Sequence, residues 1–111
     1  MEPELRAMLT MPATLLPAAA PTEYGAAVAG APVPLLTFIR YQVQEIAAQA
    51  GETELADGHL WLAPEAPAIT RRDKLSIPGY GLAAIVGIDR VPDEAGALHH
   101  VKVYFGTPAN G

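Results

Sequence analysis

Residues Ala68–Gly106 read AITRRDKLSIPGYGLAAIVGIDRVPDEAGALHHVKVYFG: three apolar runs, Lys74–Ile77, Leu82–Val91 and His99–Phe105, parted by Pro78-Gly79-Tyr80-Gly81 and Pro92-Asp93-Glu94-Ala95-Gly96. Proline holds φ near −65° and glycine accepts positive φ, so each separator reverses the chain at little cost. The last run alternates, with His99, Val101, Val103 and Phe105 on one face and His100, Lys102 and Tyr104 on the other. That period of two is a half-buried antiparallel strand. A β-meander therefore ends the chain, with its paired histidines at the start of the final strand.

Working back from the meander, Leu35–Ala47 reads as a long strand, with Leu35, Thr37, Ile39, Tyr41 and Val43 on one face. Ala50-Gly51-Glu52 is a tight reversal, so Thr53–Ala63 should return beside it as a hairpin. Asp57-Gly58 would be a bulge or second bend, and Leu60 and Leu62 share a face opposite His59 and Trp61. Val43–Ala50 (VQEIAAQA) also suits a helix, but the β-branched and aromatic run before it favours the strand. Glu2–Leu9 offers a turn or two of helix, and Thr10–Leu16 a short strand that Pro12 confines to an edge or a strand start. The expected fold is all-β: one domain over 1–111, a small antiparallel β-barrel or sandwich of about six strands with a long loop between early strands.

That loop is Pro17–Pro34, PAAAPTEYGAAVAGAPVP, in which 13 of 18 residues are Ala, Pro or Gly and Glu23 is the single charge. Such a segment buries too little surface to offset its ordering entropy, so it reads as a linker or as a loop that orders against a partner. Tyr24 is its one large side chain and its natural anchor.

Composition narrows the function classes. Hydrophobic residues make up 50% of the 111, but 21 are alanine and there are only two Phe and one Trp. A core this poor in large side chains implies a marginal monomer that gains from assembly. The net charge is −5, and the seven Lys and Arg are scattered apart from Arg71-Arg72-Asp73-Lys74, which Asp73 interrupts. This argues against a surface built to grip phosphate. With no cysteine, disulfide and thiolate chemistry are absent. The acidic start MEPELR and the prolines at 3, 12 and 17 lead to the expectation of no signal peptide and no membrane span.

No catalytic, metal or cofactor site is expected. Ser76, the only serine, falls inside a strand with no Gly-x-Ser-x-Gly context. His99 and His100 should point to opposite faces, and His59 approaches His99 only in one strand pairing. Glu52/Glu54 and Asp93/Glu94 lie in turns, where solvation explains them. Gly79 and Gly81 lack the third glycine and the helix of a dinucleotide site, and the aromatics are too few for a stacking platform.

An ordered series of features runs from Glu23-Tyr24-Gly25 before the long strand, through the turn Gly51-Glu52, to Leu60-Trp61-Leu62-Ala63-Pro64. It continues with Ile69-Thr70-Arg71-Arg72-Asp73-Lys74-Leu75-Ser76-Ile77-Pro78-Gly79. Ile88-Asp89-Arg90-Val91-Pro92-Asp93 and Gly96 follow, before His99-His100-Val101-Lys102-Val103-Tyr104. This series resembles the head-to-tail stopper proteins of long-tailed bacteriophages and gene transfer agents, also called head completion or head closure proteins. The likeness covers roughly residues 10–106; it departs at Gly79-Tyr80-Gly81, where Leu82-Ala83 follow instead of polar residues.

The resemblance implies a virion protein of the neck, assembled in the host cytoplasm, that forms a homo-oligomeric ring, commonly a hexamer, beneath the portal and adaptor. The ring would retain packaged double-stranded DNA, which passes through without specific binding, and would dock the tail terminator. Thr22, Glu23, Tyr24, Gly25 and Val28 are then the candidate channel or partner loop, and His99, His100 and Tyr104 the candidate ring contacts. The rivals are a tail terminator or tail completion protein of such a particle and an unrelated small β-barrel binding module.

Overall fold

Six strands of the chain close on themselves as an antiparallel barrel in the order β1-β4-β5-β8-β7-β6. The computed structural model describes residues 2–18, 20–21, 27–28, 30–47 and 53–108. After helix α1 (Pro3–Ala7) come β1 (Met11–Leu16), β2 (Ala20–Pro21), β3 (Ala27–Val28) and β4 (Val33–Ala47). β5 (Thr53–Leu62), β6 (Lys74–Ile77), β7 (Gly81–Pro92) and β8 (Leu98–Gly106) complete the chain. The all-β expectation holds, with the meander β6-β7-β8 and the β4–β5 hairpin where the sequence puts them. Val43–Ala47 are strand rather than helix: Gln44–Ala47 pair with Thr53–Ala56 of β5.

Alternation fills the interior. Leu60 and Leu62 of β5, Leu75 and Ile77 of β6, and Val103 and Phe105 of β8 all point inward and are almost wholly buried, joined by Leu15, Leu35 and Ile85. Thr37 is the polar exception, and its hydroxyl donates to the Met11 carbonyl at 2.9 Å. The barrel closes because β1 pairs with β4 along Met11–Leu15 and with β6 along Thr14–Leu16. Pro12 thus lies outside the stretch that β6 pairs, where its missing N–H is tolerated.

Glycine shapes the turns. Gly79 and Gly81 take φ of 83° and 105° between β6 and β7, and Gly96 takes 89° between β7 and β8. Asp93 organises the second turn, its carboxylate accepting the amides of Ala95 and Ala97 at 2.9 and 3.0 Å. This is an Asx-type turn, a structural task beyond simple solvation.

Among the described residues three β-bulges break the simple alternation. Tyr41 pairs with Gly58 and Gln44 with Ala56, so Gln42 and Val43 together oppose Asp57. The bulge therefore sits on β4, across from the Asp57-Gly58 position expected for it. Val86 is the extra residue between the pairs Ile85–Phe105 and Gly87–Tyr104, and His99 the extra residue between Val91–His100 and Pro92–Leu98. Bulges bend a strand and raise its twist. Beyond Tyr41 the β4–β5 hairpin leaves the barrel as an arm that folds over its outside, where Ile46 and Ala56 pack against Val86 and Tyr104.

The segment after β1 is more structured than its composition suggests. Ala20 and Pro21 pair antiparallel with Val28 and Ala27, forming a two-stranded hairpin apart from the barrel sheet.

Candidate functional site

Phe38 on β4, His59 and Trp61 on β5, and His100 and Tyr104 on β8 face outward from three adjacent strands. The register brings them together, since Trp61 pairs with Phe38 and Lys102, and His59 with Arg40 and Tyr104. The rings form a continuous strip. Trp61 lies 5.5 Å from Phe38, 6.3 Å from His59 and 5.8 Å from His100, and His59 meets Tyr104 edge-on at 5.9 Å. Lys102 sits over the Tyr104 ring at 5.1 Å, a cation–π contact. Three of the chain's seven Phe, Trp and Tyr rings, the lone Trp among them, belong to this strip outside the barrel.

Burial disfavours the charged form of the strip's histidines. Burial pushes the His59 pKa below its ordinary value, and the charges of Lys102 and Arg40 push the same way. Burial also lowers His100, helped by His99 and Lys102. His59 is only 4% exposed, and its Nδ1 and the Trp61 Nε1 are buried without a hydrogen-bond partner among the described residues.

The sequence-derived candidates fall as follows. Thr22, Glu23, Tyr24 and Gly25 lie outside the described residues, and Val28 belongs to β3. His99 and His100 do not point to opposite faces: the two Nδ1 atoms are 2.8 Å apart and the rings 5.1 Å apart. The bulge at His99 is the reason, because an extra residue rotates it out of the alternation that Val101, Val103 and Phe105 keep. His99 also lies 3.9 Å from the Glu2 carboxylate. Tyr104, expected at a ring contact, is 8% exposed beneath the arm and donates its hydroxyl to Asp89 at 3.0 Å. It anchors the arm.

Two further arrangements escaped the sequence reading. The buried carboxylate of Asp73 accepts the Ala18 amide at 2.7 Å and the Thr70 amide at 2.9 Å. It thus ties the start of the Pro17–Pro34 segment to the turn before β6. At the barrel mouth, Tyr80 donates to Asp57 at 2.5 Å and Thr107 donates to the same oxygen at 3.2 Å. The Tyr80 ring meets Phe105 edge-on at 5.2 Å, and Tyr41 meets Phe105 at 5.9 Å. The mouth is plugged. The only local signal was a charged residue next to a turn.

The arrangement offers an aromatic contact surface. Ser76 is exposed on β6 beside Thr14 and Leu82, with no acid or base paired to it. Among the described residues no group of three His, Asp or Glu side chains converges as a metal site, and no helix is long and apolar enough to cross a membrane. Two broad grooves open on the surface among the described residues. One of about 500 Å³ lies under the Arg6–Glu65 ion pair, floored by Leu9, Leu35 and Leu62. No known protein-family model matches the chain, and no curated protein matches it at a significant level.

Proposed function

We propose that this chain is a structural subunit of the neck of a tailed bacteriophage or gene transfer agent, a head-to-tail stopper that assembles as a ring, retains packaged DNA and docks the tail. The observation that carries the reading is a filled, plugged barrel from which two excursions depart: the β2–β3 hairpin, tied down by Asp73, and the β4–β5 arm. A barrel with no reactive cluster among its described residues and with such extensions is suited to binding neighbours rather than converting a substrate. The net charge of −5 supports the same reading, because an acidic channel repels phosphate and lets a duplex slide. The resemblance of the ordered sequence motifs to stopper proteins supports the particle and the place within it. Thr22, Glu23, Tyr24, Gly25 and Val28 are proposed to face the channel or a docking partner.

A second reading, a small β-barrel binding module, is favoured by the outward aromatic strip centred on Trp61. Deletion of the gene separates the possibilities. A stopper's loss yields heads that package DNA and then release it, alongside finished, unattached tails. Full, stable heads place the protein in the tail as a terminator or completion protein. Unchanged particles leave the binding module.

A further inference from the structure

The arm carries an apolar surface that the barrel does not cover. Along β4 the residues Gln44 and Ile46 turn toward the barrel, while Val43, Glu45 and Ala47 turn to solvent. Leu55 of β5 pairs with Glu45 and shares that outer face. Val43 is 69% and Leu55 64% exposed, levels at which two neighbouring large aliphatic side chains gain nothing from their own fold.

A second uncovered surface lies on the barrel wall β4-β1-β6-β7. Leu36 pairs with Pro12, and Ser76 of β6 pairs with Thr14 on one side and Leu82 on the other. Leu36, Pro12, Ser76 and Leu82 are all exposed. Within this wall the charged residue is Lys74, between Leu16 and Ala84.

The two surfaces match in charge and length. Each is apolar with one charge, Glu45 on the arm and Lys74 on the wall, and neither makes an ion pair among the described residues. Gln42–Ala47 spans about 20 Å as extended chain, and four strands span about 14 Å from first axis to last, so the arm is long enough to cross the wall.

We propose that the outer face of the arm, Val43, Glu45 and Leu55, docks on the β4-β1-β6-β7 wall of a second copy of this chain, with Glu45 against the second copy's Lys74. One copy supplies the arm and the next the wall, so the contact is head-to-tail and propagates into a ring or a filament. The contact deepens the ring assembly proposed above and rests on that reading for closure of the ring.

The absence of cysteine makes a clean test. Val43→Cys and Leu82→Cys chains, prepared separately and mixed in equal amounts, are treated with a short bis-maleimide, after thermal unfolding has shown both to be folded. The mixed heterodimer should dominate. Lys74→Glu in the Leu82→Cys chain should cut its yield about tenfold or more through like-charge repulsion. Glu45→Lys in the Val43→Cys chain should then restore it. A yield no higher than that of a control pair, Val43→Cys with Asp93→Cys, overturns the contact, as does a product dominated by Val43–Val43 homodimers. A chain found in phage necks that fails to cross-link overturns the contact alone. A chain that cross-links but is absent from particles overturns the neck reading alone.

Discussion

The carboxylate of Asp73 holds the amide of Ala18 at 2.7 Å across 55 positions of sequence, so one side chain joins the turn before β6 to the exit from β1. The same carboxylate accepts the Thr70 amide, and the residue is 7% exposed. Buried backbone amides must find an acceptor, and here one carboxylate serves two.

Asp73→Ala should therefore destabilise the chain by about 2–4 kcal/mol, since two amides lose a charged acceptor. Asp73→Asn keeps one acceptor oxygen and should cost less. Urea unfolding measures the loss, and hydrogen exchange at Ala18 should quicken in both variants. An Ala variant as stable as the parent would remove Asp73 from this role.

Gly58 lies at the crossing of β4, β5 and β8. A Cβ there would meet the Arg40 carbonyl and lie 2.8 Å from the Phe105 ring. Gly58→Ala should cost about 1–3 kcal/mol or more, because the backbone oxygen cannot move aside without breaking the hairpin register. Thermal unfolding checks this, with Gly79→Ala as a contrast: there the new methyl finds open space and the strain comes from φ of 83°.

The histidine strip makes stability depend on pH. His59 and His100 have folded pKa values below their ordinary one, so the unfolded chain binds more protons than the folded one over that window. Their contribution is complete above about pH 6.5 and is lost as pH falls from there through the folded values. The urea midpoint should drop between pH 7.5 and 5.5, and His59→Gln should flatten that slope. An unchanged slope in the variant would assign the dependence elsewhere.

Tyr80 behaves in the opposite sense. Burial, then its hydrogen bond to Asp57, raises its pKa. Its contribution is present below about pH 10, the unfolded value, and is lost as pH rises through the folded one. Tyr80→Phe should cost about 1 kcal/mol at pH 7 and leave the chain less sensitive to alkali. Ultraviolet titration of the tyrosines should lose a component raised above the ordinary tyrosine range in that variant.

Local pattern was enough to place the strands and turns of the meander. Leu60 and Leu62 point inward against His59 and Trp61 because residues two apart in a strand share a face, and Gly79, Gly81 and Gly96 mark reversals because they alone accept positive φ cheaply. The relationships that shape the candidate surfaces arise between strands. A bulge depends on how one strand counts against its neighbour, so nothing in HHVKVYF itself announces that His99 turns toward His100. The bulge at Gln42–Val43 likewise frees the arm, which then buries Tyr104 and leaves Val43 and Leu55 to solvent. Asp73 reads as part of a charged turn until the barrel closes and brings Ala18 within reach. Strand alternation is a property of each residue and its near neighbours, whereas register and long-range capping are settled by which distant groups the closed sheet leaves without partners.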